Sequence, residues 1–127
     1  PGPLHCVWSH KDLHRRAYAV DHCFPWSRWQ NNDLWNLLPA TERANADKSD
    51  RLPAARLMES ARQDILAWWA VLDAEPNLAG QFRDEAQASL PLLPNGADLA
   101  QLFDSLLLQR QRLKANQQLA EWQGLAS

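Results

Sequence analysis

Asp21 and His22 stand side by side at the end of a short apolar run, Tyr18-Ala19-Val20. Asn36 follows in Asn-Leu-Leu-Pro, and Asn45 in Asn-Ala-Asp-Lys-Ser. These residue types can share one piece of chemistry. An imidazole titrates near neutral pH, so His22 can take a proton from water. A hard divalent ion such as Mg²⁺ prefers oxygen ligands and keeps several waters, so one carboxylate and one amide oxygen suffice from the protein. Asp21 and Asn45 offer that pair. A base beside such an ion can activate water for hydrolysis. The residues need not be close in sequence if a strand pair and a short helix bring them together.

The flanking sequence predicts those elements. Residues 4–8 (Leu-His-Cys-Val-Trp) read as a first strand, and residues 9–15 as a polar turn. Residues 17–21 read as a second strand, with aromatic and β-branched content. Residues 24–33 form a loop with Pro25, Trp26, Trp29 and the pair Asn31-Asn32, and residues 35–38 a short third strand. Thr41 is a good N-cap, and Glu42 places negative charge in the first turn of a short helix over residues 41–49. Pro53 stops it. Beyond it, Leu57, Met58, Ala61, Ile65, Trp68, Trp69 and Leu72 recur at three- and four-residue steps, the stripe of an amphipathic helix ending before Pro76. Residues 77–90 predict a weaker helix. Residues 90–96 hold Pro91, Pro94 and Gly96 and break the chain. Residues 98–122 predict a last long helix.

Composition narrows the class. A chain of 127 residues, 46% hydrophobic, suits one compact domain with a core that needs no disulfide scaffold. No apolar run is long enough to span a bilayer, and no signal peptide opens the chain. There is no initiator Met, and Pro1-Gly2-Pro3 suggests a domain excised from a longer protein or left by processing. Net charge is −2, which does not announce a nucleic-acid binder. Its distribution is uneven: residues 1–57 hold eight Lys/Arg against six Asp/Glu, and residues 58–127 five against nine. The half with the Asp-His pair is the more basic half, as phosphate contact requires. Cys6 and Cys23 lack C-x-x-C partners, so no structural zinc is expected and both read as small buried side chains. Sparse, unpaired cysteine fits a reducing cytoplasm.

The run Val-Asp-His-x-x-Pro, Asn-Leu, then Asn-x-x-Lys-Ser-Asp over residues 20–53 resembles the HNH endonuclease family, whose fold is the ββα-metal finger. It is similar, without gaps, to the HNH domain of RNA-guided CRISPR nucleases. The resemblance covers about a quarter of the chain. It implies an α+β fold: a finger with a small N-terminal antiparallel sheet over residues 1–53, and a helical extension packed on it over residues 54–127. By resemblance Asp21 and Asn45 bind the metal, Mg²⁺ or Mn²⁺. His22 is the general base, and Asn36 braces the loop and the His ring. Lys48, with Arg51 after it, meets substrate phosphates. The implied activity is one-metal hydrolysis of DNA, single- or double-stranded, with other domains or subunits of a larger nuclease or antiviral effector as further partners. Two departures stand out. The paired zinc cysteines of many members are absent, and Asn replaces a third His, which favours Mg²⁺ or Mn²⁺ over softer metals.

Plainer readings stand beside these. Asp21 and His22 could be a salt-bridged surface pair, and Asn36 could serve only the turn. Lys48 and Arg51 could be a solvated helix end. The seven tryptophans could fill a small core or stack on bases. His5, His10 and His14 have no family match, although His10, His14, Arg15 and Arg16 could line a DNA groove. An alternative function is a non-catalytic nucleic-acid-binding module or a protein-docking one, and the docking role would leave the apolar helix at residues 98–122 exposed.

Overall fold

The structure is a computed structural model that describes residues 4–13 and 18–126. Strand β1 (Tyr18–His22) pairs antiparallel with β2 (Leu37–Thr41), with Val20 opposite Pro39 and His22 opposite Leu37. Helix α1 (Glu42–Lys48) follows β2 directly. A two-residue strand β3 (Leu52–Pro53) leads into the long α2 (Ala55–Ala74), then α3 (Ala79–Ser89) and α4 (Leu99–Gln117). The last strand, β4 (Glu121–Trp122), returns to pair parallel with β3. The chain is therefore α+β, with a small antiparallel sheet and a helical C-terminal half. Among the described residues no helix is long and apolar enough to cross a membrane.

Strand periodicity decides which way each side chain of β1 faces. Tyr18 and Val20 are exposed, Val20 at 56%, while Asp21 on the other face is buried. The end of β2 becomes the start of α1 through Thr41, whose hydroxyl accepts from the Ala44 N–H at 3.1 Å as the N-cap.

Residues 4–8 do not form the expected strand. The only ladder contact there is a single bridge between His5 and Asp12, and the chain turns at residues 7–9. The Cys6 carbonyl accepts from the His10 N–H at 2.8 Å, and His10 takes φ 66° to close the turn. The Val7 N–H donates to the Pro39 carbonyl at 3.1 Å, which holds this turn against β2. Pro39 has no N–H to return, so a ladder cannot extend there. The expected third strand is likewise shifted. Residues Leu34–Asn36 form a 3-10 turn, and pairing begins only at Leu37. Of the groove candidates, His14, Arg15 and Arg16 lie outside the described residues, as does Ala17 of the expected second strand.

The helices hold the sheet by specific bonds as well as by burial. The stripe on α2 buries Leu57, Met58, Ala61, Ile65, Trp69 and Leu72. Its two indoles also donate to backbone carbonyls, Trp68 to Leu37 at 3.0 Å and Trp69 to Trp35 at 3.2 Å. From α3, Glu85 accepts from the Leu34 N–H at 2.8 Å and Ser89 donates to Asp33 at 2.6 Å. The helix after Asp98 is capped by a reciprocal box with Gln101 and buries Leu102, Phe103, Leu106 and Leu113. That face, which a docking role would leave open, lies in the core.

The expected run of helix to residue 122 is also corrected. Gln118 adopts left-handed φ 52° and ends α4, and the Lys114 ammonium caps the turn by donating to the Leu119 carbonyl. The chain then runs extended into β4. There the Leu52 N–H donates to Ala120 and the Ala54 N–H to Trp122, while Arg110 donates from Nε to the Pro53 carbonyl at 2.8 Å. Trp122 is buried edge-on against Trp8, and its indole N–H reaches Asp47 at 2.9 Å. Replacing it leaves a large void beneath α1. Trp122→Ala is expected to lower stability by about 3–5 kcal/mol in urea unfolding. A loss below about 1 kcal/mol would place β4 outside the core.

Candidate functional site

Asp21 is the buried centre of the sequence-predicted set. One of its oxygens accepts from the Trp8 indole N–H at 2.7 Å, the other from the Lys48 ammonium at 3.2 Å. Lys48 also donates to the His22 carbonyl at 2.7 Å and lies 5.8 Å from the Trp8 ring centroid. Both charges are removed from water, since Lys48 is fully buried and Asp21 only 3% exposed. Burial pushes the Asp21 carboxyl above its ordinary value; Lys48, the Trp8 bond and His22 act against that rise.

This position corrects the expected role of Lys48. A phosphate contact needs an outward ammonium, whereas this one turns inward to neutralise Asp21. The reason is geometric. Lys48 ends α1 on the side that meets β1, and its stem is long enough to reach the carboxylate beneath the strand. Arg51 stays half-exposed. It pairs with Asp47 at 3.8 Å and donates from Nε to the Lys48 carbonyl at 3.4 Å.

His22 is half-buried at the end of β1. Its Nε2 lies 2.7 Å from the Asn32 amide oxygen. An amide oxygen only accepts, so Nε2 is the donor in this contact, and in the neutral ring that tautomer leaves the lone pair on Nδ1. Asn32 was passed over in the sequence, where Asn31-Asn32-Asp33 signals only a turn. Asn31 does build that turn, accepting from the Asp33 N–H at 2.8 Å. Trp8 was also missed, since nothing local marks an indole as a carboxylate donor.

Asn36 is fully buried and spends its whole amide on the loop between the strands. Its oxygen accepts from the Phe24 N–H at 2.9 Å, and its nitrogen donates to the carbonyls of Asn31 at 2.9 Å and Phe24 at 3.3 Å. It thus ties both ends of the loop that carries Asn32. Asn45 is half-buried, three residues before Lys48 and therefore on the same face of α1. No described residue hydrogen-bonds its side chain, and no described group of three His, Cys, Asp or Glu gathers as a metal cluster. The thiols are buried and free. Burial pushes Cys23 up to about 12, so it stays neutral. The other described histidines are tied elsewhere, His5 to Asp12 at 2.8 Å and His10 to Asp64 at 2.6 Å.

The segment that carries this arrangement is similar to a known family. The model of the HNH endonuclease family matches residues 7–54, from the turn that holds Trp8 to the residue after β3. This match supports a likeness of residues 7–54 to the HNH endonuclease family. No curated protein matches the chain. The HNH segment thus contains Asp21, His22, Asn36, Asn45, Lys48 and Arg51, together with the missed residues Trp8 and Asn32. HNH nucleases act on nucleic acids and generally use divalent metal ions.

The Asp21–Lys48 pair has a measurable signature. Removing one partner of a buried pair strands the other charge, at a cost of about 3–5 kcal/mol. Asp21→Asn and Lys48→Met should each show a loss of that order in urea unfolding. The double variant should lose less than the two combined. Strictly additive losses would mean that the two side chains do not act as a pair.

Proposed function

We propose that the HNH segment is a ββα-metal finger that hydrolyses DNA phosphodiesters with one divalent ion, Mg²⁺ or Mn²⁺, and His22 as general base. The observation that carries this reading is the fixed imidazole. Asn32 holds Nε2, so the free lone pair on Nδ1 belongs to a half-exposed ring beside Asp21. A base must present that lone pair to water in one orientation.

Asp21 and Asn45 would hold the ion. Their chemistry fits: both offer hard oxygens, and a carboxylate has about four lone-pair sites, of which Trp8 and Lys48 engage two. When bound, the ion supplies charge neutralisation at the phosphate and at the leaving 3′ oxygen. His22 takes the proton of the attacking water at Nδ1. Asn32 and Asn36 are positioning residues, the first orienting the ring and the second holding the loop that carries Asn32. Lys48 opposes the rise that burial imposes on the Asp21 carboxyl and holds it in place. Arg51, half-exposed just after α1, would meet substrate phosphates by exchanging its surface pair with Asp47.

In this reading residues 1–53 carry the nuclease core and residues 54–127 a helical extension packed on it as one domain. On the same reading the domain works in the cytoplasm, and other domains or subunits of a nuclease or effector are its further partners.

The test is plasmid cleavage with Mg²⁺ or Mn²⁺. EDTA should abolish it, and His22→Ala should lower the rate by about two to four powers of ten, the usual share of a general base. The variant should melt with the wild type, because the ring is partly exposed. Full cleavage in excess EDTA, or near-native turnover by His22→Ala, would overturn the mechanism.

A further inference from the structure

Six of the seven tryptophans turn inward. Trp8, Trp35, Trp69 and Trp122 are buried, and Trp29 and Trp68 are half-buried against the same core. Trp26 is 44% exposed. Its ring centroid lies 5.9 Å from that of His22, with the planes tilted by 52°. The most exposed indole is therefore the one beside the imidazole.

The chain around Trp26 is fixed. The Pro25 carbonyl accepts from the N–H groups of Arg28 at 2.9 Å and Trp29 at 3.0 Å, closing a tight turn around it. Before the turn, Phe24 is buried and its N–H is held by Asn36. After it, Trp29 packs 6.1 Å from Phe24 and 5.6 Å from Trp35. Arg28 then ties the turn to the region after α1 through Asp50 at 3.0 Å. An indole displayed from such a turn loses little freedom when something stacks on it.

We propose that Trp26 is a stacking platform for the nucleobase next to the phosphate served by His22, so that the preferred substrate is DNA with an unpaired base at the cut. This rests on the nuclease reading of His22. A base inside a duplex has both faces covered by its neighbours, and only an unstacked base can offer one to an indole. The substrate class is then single-stranded DNA, or a strand displaced from its complement. Stacking tolerates any base, so Trp26 selects strandedness and not sequence.

Binding is measured in EDTA, with no cleavage, on single-stranded and duplex oligonucleotides carrying 2-aminopurine. The wild type should bind the single strand and quench the probe. Trp26→Ala should weaken single-strand binding by about 5- to 150-fold, the equivalent of one stacked base at ~1–3 kcal/mol. Trp26→Phe should recover most of that loss, and duplex affinity should stay level across all three proteins. Equal single-strand affinity in wild type and Trp26→Ala would overturn the proposal, as would an equal loss on duplex. A parallel plasmid assay separates the two readings. Stacking in a protein that never cleaves keeps the platform and removes the nuclease. Cleavage without any Trp26 effect does the reverse.

Discussion

A carboxylate buried under a two-stranded sheet needs a counter-charge, and the rest of this structure is arranged around supplying one to Asp21. Lys48 provides it from the end of α1, and Trp8 adds a hydrogen bond from the N-terminal turn. Each bond fixes an element. Lys48 sets α1 against β1, and its second bond, to the His22 carbonyl, reaches the backbone of the imidazole-bearing residue. Trp8 in turn packs on Trp122, so the last strand of the chain closes over the same cluster. A buried pair of this kind contributes little net stability, because desolvation offsets most of the attraction. What it contributes here is position.

The helical half serves that position from the other side. Indole N–H groups on α2 hold the backbone at Trp35 and Leu37, and α3 holds Asp33 and Leu34. Asn36 follows directly and braces the loop with its amide. Asn32, on that loop, reaches His22. A chain of contacts thus runs from the long helices to the imidazole, and the ring is positioned by residues outside the short motif.

Much of this was legible in the sequence where the cause is local. Thr41 caps α1 as its side-chain chemistry requires, and the three- and four-residue spacing gave α2. Hydroxyl capping and helical periodicity act over a few residues, so a single sequence shows them. Failures came where distant partners decide. Residues 4–8 have strand composition, but Val7 bonds to Pro39 and Trp8 leaves for Asp21, so no ladder forms. The helix expected to reach residue 122 ends at Gln117, because residues 121–122 pair with residues 52–53 far back in the chain. Lys48 has the look of a solvated helix end until the carboxylate beneath β1 is seen. The residues Asp21, His22, Asn36 and Asn45 stood out because their order resembles the HNH family's, and their roles rest on that resemblance. Trp8 and Asn32 did not, because only the fold brings them there.

Direct ion binding tests the centre of this picture. Mn²⁺ can be titrated into the wild type, Asp21→Asn and Asn45→Ala, with Asp64→Asn on α2 as a control, and the bound ion read by electron paramagnetic resonance. One site is expected in the wild type and the control, and it should be strongly weakened in both other variants while Asn45→Ala keeps its fold. Mn²⁺ binding that is identical in all four proteins would contradict the assignment of Asp21 and Asn45 as the metal site.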